Sequence, residues 1–250
     1  YVPGPTPSWM LISAYALVAL FPLLSPKFEF SFPHVKVKWQ QIWPILLIVG
    51  LTLGLRWIHL GYSEYQGDES VIMIRAARIL AGSDTELFLH QKGPVEILIP
   101  LGMWGAAAEI NELWSRVLFT WASCLSVAAV WLLARRWFGH PAAEIAAVLF
   151  AISGFSVAFA RIVQYQSLVM LWGALALLLA DRYAKEQRRT DLLLTAVFLA
   201  GGLLAHYDAV LVIPAVAWVL IRSVVKSRQI IWRDWLFASA LGLFGLGLFY

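Results

Sequence analysis

The chain has 250 residues, 61% hydrophobic and 14% charged, with a formal net charge of +4 and a mean hydropathy of +0.75. Soluble domains carry nearer a quarter charged residues, so this composition excludes an ordinary soluble domain and predicts an all-α, polytopic transmembrane bundle. The pI near 9.3 reads as membrane topology, in which Lys and Arg collect in cytoplasmic loops, and no nucleic acid is expected as a partner.

A helix needs roughly 20 residues to cross the hydrocarbon core. Apolar runs near that length lie at 9–24, 42–62, 117–134, 142–159, 167–180, 192–205, 209–225 and 235–250. No strand-period alternation competes with them. Thirteen Trp and eight Tyr suit aromatic belts at two interfaces. The single Cys124 lies within an apolar run, which excludes an internal disulfide. The first run lacks the basic flank and small-residue cleavage site of a signal peptide, so none is read there. The chain starts at Tyr1 and stops at Tyr250 inside an apolar run. The expectation is one transmembrane domain over 1–250, a fragment incomplete at both ends.

Basic residues set the orientation. Lys27, Lys36 and Lys38 follow the first run, Arg135 and Arg136 the third, Arg182, Lys185, Arg188 and Arg189 the fifth. Arg222, Lys226, Arg228 and Arg233 follow the seventh. These loops share a side if the runs alternate, and the positive-inside rule makes that side cytoplasmic. The connections 63–116, 160–166 and 205–209 then face outward, from the cell membrane into the extracytoplasmic space. The apolar segment 95–108 is short and contains Pro100. Were it to cross, every later basic loop would invert, so it is expected to lie along or dip into the outer face. Residues 63–116 thus form a large outer loop with juxtamembrane helices.

The outer loops hold the ionisable residues. Asp68 and Glu69 stand near the start of a helix, with Arg75 and Arg78 on one face at i, i+3 spacing. Capping and solvation account for such acids; a catalytic carboxylate is the alternative. His90, Lys92 and Pro94 follow in HQKGP. That Lys is either an interfacial anchor or a point charge for a phosphate. The second loop offers Arg161, Gln164, Tyr165 and Gln166, and the third His206, Tyr207 and Asp208. Ionisable groups at membrane depth are costly and mark function by default; a mutual pair packing two helix ends is the plainer account of His206 and Asp208. Arg56 and His59, late in the second run, either line the same cavity or snorkel outward. Taken together, the loops gather carboxylates, cations and His on one face. A carboxylate base there could activate an acceptor hydroxyl, and cations could stabilise a phosphate leaving group.

The order of these segments resembles a family. GDESVIMIRAARILAG is followed by HQKGP, then by NELWSRVLFTWASCLSVAAVWLLARRWFG, FAISGFSVAFARIVQYQSLVMLWGALALLLADRY and AGGLLAHYDAVLVIPAV. The pattern over about 40–250 is similar to the GT-C membrane glycosyltransferases of the dolichyl-phosphate-mannose-protein mannosyltransferase superfamily, to which the lipid A aminoarabinose transferases also belong. The resemblance implies a multi-span transferase that takes a sugar from a polyprenyl-phosphate donor and hands it to an extracytoplasmic acceptor. It implies Asp68 as general base with Glu69 beside it, and Lys92 and Arg161 as donor-phosphate ligands. His90, Gln166, His206 and Asp208 are expected to bind substrate. No metal or other cofactor is expected. Two departures stand out. Gly93 intervenes between Lys92 and Pro94, and Gln166 stands where many members carry an Asp. Gln hydrogen-bonds but cannot act as a base, so a non-catalytic membrane protein that binds lipid-linked sugar, or a transporter-like protein, is the rival reading.

Overall fold

The computed structural model describes residues 42–65, 67–83, 85–90, 92–227, 231–247 and 249. The run expected at 9–24 lies outside them, as do Lys27, Lys36 and Lys38. Among the described residues every regular element is helical. The order is α1 (Ile42–Trp57), α2 (Asp68–Leu80), α3 (Thr85–Leu89), α4 (Val95–Ala107), α5 (Glu112–Phe138), α6 (Ala142–Ile152), α7 (Gly154–Ala160), α8 (Gln166–Glu186) and α9 (Arg189–Ala205). A 3₁₀ turn (Tyr207–Val212) leads into α10 (Ile213–Ser227), and α11 (Trp232–Gly247) follows.

The central element is α5. Asn111 caps it, its Oδ1 accepting the Trp114 N–H at 2.9 Å. Glu112 begins it, and Arg135 and Arg136 close it, matching charge to the helix dipole at both ends. Its 27 residues extend about 40 Å, enough to cross a bilayer core of about 30 Å. Two further segments, Gln166–Glu186 and Tyr207–Val225, are long and apolar enough to cross. Leu125, Ile145, Leu149, Leu236 and Leu243 face outward, more than half exposed, which is the surface a lipid-embedded bundle presents. Inside, small residues let helices approach. A Cβ on Gly202 would sit 3.0 Å from that of Ala209, and one on Gly173 would sit 2.9 Å from a Val212 methyl.

The span expected at 142–159 is broken. Helices α6 and α7 meet at Ser153 with a bend of 56°. Ser153 caps α7, accepting the Ser156 N–H. The fully buried Arg56 holds the break from α1, donating to Ala151 O at 2.9 Å, Ser156 Oγ at 2.8 Å and Ser123 Oγ at 2.9 Å. A broken helix frees backbone carbonyls that must find donors within a membrane, and this guanidinium supplies one. Arg56 is therefore turned inward to the helix break.

Segment 95–108 forms α4, whose 13 residues extend about 20 Å, too short to cross alone. Trp104 Nε1 donates to Ser115 Oγ at 2.7 Å and ties α4 to α5. Helix α2 is amphipathic. Ile72, Met73, Ala76 and Ile79 are buried at helical spacing, in a core shared with Val95, Ile97 and Trp104 of α4.

One buried ion pair locks α2 to the bundle. Glu69 and Arg116 are each 1% exposed. Arg116 Nε and Nη2 donate to the two Glu69 oxygens, both at 2.8 Å. Removing one partner of such a pair costs about 3–5 kcal/mol, because the other charge is left buried and alone. Arg116→Met is expected to lower the thermal unfolding midpoint sharply in detergent, and Glu69→Leu/Arg116→Met to recover much of the loss. A double variant as unstable as the single one would show that the two are not coupled.

Candidate functional site

The connections between helices gather at one end of the bundle. The C-terminus of α1, the N-termini of α2, α5 and α8, and the C-terminus of α9 all meet there. A cleft of about 400 Å³ opens at this end between α2 and the end of α3 with the loop that follows it, lined by Asp68, Val71, Ile72, Arg75, Leu89, His90 and Lys92. Asp68 is the first residue of α2, and Gly67 before it turns the chain with φ +56°. The Asp68 carboxylate is 68% exposed, and Lys92 Nζ donates to its Oδ2 at 3.4 Å. A long, exposed pair of this kind contributes little stability, so either partner is free to exchange it for a ligand. Arg75 brings a second cation to the cleft wall. Arg75 and Arg78, on one face of α2 as their spacing predicts, meet at Glu86, at 3.5 and 3.0 Å.

Glu96 organises the next layer. It is 1% exposed. One oxygen accepts from His90 Nε2 at 3.1 Å and the other from the backbone N–H of Tyr165 at 2.8 Å. The Tyr165 ring stacks on His206, with centroids 3.4 Å apart and planes 5° apart. Its hydroxyl donates to Asp208 Oδ2 at 3.0 Å. His206 Nδ1 accepts the Asp208 N–H at 3.1 Å and lies 3.3 Å from Asp208 Oδ2. Burial, reinforced by the hydrogen bond to Asp208, pushes the Tyr165 phenol up to about 12. Burial also lowers the pKa of His206, against the opposing pull of Asp208, in accord with a neutral imidazole. Gly93 seats the HQKGP loop on the end of α9. A Cβ there would lie 2.7 Å from Ala205 O and still nearer Leu204 O. The glycine between Lys92 and Pro94 is thus required by this close approach.

Asp68, His90 and Lys92 line the cleft, while His206 and Asp208 join it through Tyr165 and Glu96. Glu69 and Arg161 are engaged elsewhere. Glu69 takes Arg116 and the Val163 N–H, the latter at 2.9 Å. Arg161 donates to Leu55 O at 3.1 Å, Ile58 O at 2.8 Å and His59 O at 3.3 Å, closing the C-terminus of α1. Gln166 opens α8, and its Oε1 is buried with no protein donor among the described residues.

Glu96 and Arg116 went unread in the sequence. A lone carboxylate inside VEILIPLGMWG is a signal, since ionisable groups in apolar segments mark function. Arg116 had a weaker one, as a cation one turn into a span. The family model described as dolichyl-phosphate-mannose-protein mannosyltransferase matches residues 106–249. No curated protein and no solved structure matches the chain.

The depressed basicity of His206 has a consequence for stability. The unfolded chain takes up this proton near its ordinary value of about 6.5, and the folded chain only at lower pH. Stability attributable to the group is therefore intact above that value and falls as pH drops through it toward the folded value. Between pH 7.5 and pH 5 the unfolding midpoint is expected to fall further in the native protein than in His206→Asn. Equal falls would show that His206 does not contribute.

Proposed function

The chain belongs to the dolichyl-phosphate-mannose-protein mannosyltransferase family and is a multi-pass membrane glycosyltransferase of the GT-C type; from that premise we propose that it transfers a sugar from a polyprenyl-phosphate donor to a protein, lipid or glycan hydroxyl on the extracytoplasmic face of the cell membrane. The observation that carries this reading is the cleft in which the Asp68 carboxylate and the Lys92 ammonium face each other at 3.4 Å.

The donor phosphate displaces Asp68 from Lys92 and takes the ammonium as its counter-charge, with Arg75 on the same wall. Exchange of one anion for another at an exposed cation costs little. It frees the Asp68 carboxylate to accept the proton of the acceptor hydroxyl as that oxygen attacks the anomeric carbon. The bond from the anomeric carbon to the phosphate oxygen breaks, its electron pair leaves with the phosphate, and Lys92 stabilises the charge that develops. A single displacement of this kind inverts the anomeric centre. His90 is held by Glu96 at the cleft wall, where it positions the donor sugar. Gln166, His206 and Asp208 bind substrate from the neighbouring layer. Glu69 and Arg161 act as positioning residues, the first by holding α2 against α5, the second by closing α1.

Asp68→Asn is expected to abolish release of polyprenyl phosphate from a labelled sugar donor while membrane insertion persists; normal turnover would remove the base assignment. Lys92→Gln loses a charge-assisted contact of about 1.5 kcal/mol, so its KM for the donor should rise about tenfold. Donor binding without any release, with acceptor extracts supplied, would overturn the transferase reading.

A further inference from the structure

The end of the bundle away from the Asp68 cleft carries a second, larger cavity. It measures about 560 Å³ and opens between the C-terminal turns of α5, α8 and the last turns of α10. Trp137, Phe138 and Trp218 form apolar walls, and Arg136, Lys185 and Arg222 bring positive charge. Phe138 and Trp218 are 71% and 65% exposed. Asp181, also in the lining, is already saturated. It accepts from Arg136 Nε at 2.7 Å, Lys185 Nζ at 3.1 Å and Trp137 Nε1 at 3.1 Å. Glu186 lies 3.8 Å from Arg136 and is shared with Arg188. Arg222 has no acidic partner among the described residues and is exposed.

Each feature has an ordinary cause by itself. Cations suit helix C-termini, and Trp suits a membrane interface. Their convergence from three helices on one concavity, with a guanidinium left unpaired, goes further. The planar guanidinium offers paired donors that match a phosphate, and basic pockets between membrane helices hold lipid head groups. Position names the ligand. Arg116 and Arg136 stand 20 residues apart on α5, as 136 less 116 gives, or about 30 Å along a helix. That is the thickness of the hydrocarbon core, so the cavity lies at the opposite headgroup level from the cleft. We infer that this cavity binds the phosphate of an anionic phospholipid. Arg222 takes the phosphate, Lys185 lies beside it, and the acyl chains run over Trp218 and Phe138. The site is separate from the proposed donor site and does not depend on it.

The test uses the full chain in detergent, read by native mass spectrometry after addition of phosphatidylglycerol or phosphatidylcholine at equal mole fraction. Phosphatidylglycerol is expected to be retained preferentially. Arg222→Glu should weaken it about tenfold, as loss of a charge-assisted contact implies, and Arg222→Lys should keep most of it. Lys92→Gln, at the other end, should leave it unchanged. Equal retention of the two lipids would overturn the inference. So would a loss in Lys92→Gln matching that in Arg222→Glu, which would locate the lipid at the cleft. Inorganic phosphate binding as tightly as the lipid would also overturn it, marking a free-anion site.

Discussion

The ion pair between Glu69 and Arg116 determines where everything at this end of the bundle can stand. Its carboxylate receives two guanidinium bonds from α5 and the Val163 N–H from the turn before α8. The same guanidinium also donates to Leu60 O, Ser63 O and Glu64 O in the α1–α2 connection. One pair of side chains therefore joins α2, α5 and two connections. Desolvating two charges consumes most of what their attraction returns, so the pair contributes geometry more than net stability. Buried groups of this kind tolerate one arrangement, since any shift leaves a donor or a charge unsatisfied.

Two adjacent acids then divide their work by position on the helix. Successive residues on α2 point about 100° apart, so when Glu69 faces α5, Asp68 faces the cleft. The cations divide in the same way. Arg56, Arg116 and Arg161 are committed to carbonyls and hydroxyls at helix breaks and ends, whereas Lys92 stands on the cleft wall. A guanidinium with five fixed donors suits the first task, and a compact ammonium on a flexible stem suits the second.

The spans were legible because an apolar run near membrane length leaves few other structures. The observed segments 112–138, 166–186 and 207–225, each long and apolar enough to cross, enclose the runs expected at 117–134, 167–180 and 209–225. The break at Ser153 was not legible, since Ser within an apolar stretch does not by itself stop a helix. What supports the break is Arg56, 95 and 100 residues away from the groups it holds. The site divides along the same line. Asp68, His90 and Lys92, expected in the first outer loop, do line one cleft together. The engagements of Glu69 and Arg161 depend on partners 47 to 106 residues distant, and spacing along the chain does not encode such contacts.

Gln166 is where the chain departs most from the carboxylate pattern of the family it resembles, and the neighbouring layer suggests how it compensates. Tyr165, one residue earlier, reaches across to Asp208 at 3.0 Å and stacks on His206. Its backbone meanwhile bonds to Glu96, which also holds His90 of the cleft. A carboxylate from the third loop is thus brought into the layer where Gln166 stands. That carboxylate is held by a phenol and lies 3.3 Å from His206 Nδ1. The acid absent at Gln166 is thus matched by a third-loop carboxylate that Tyr165, its neighbour along the chain, anchors.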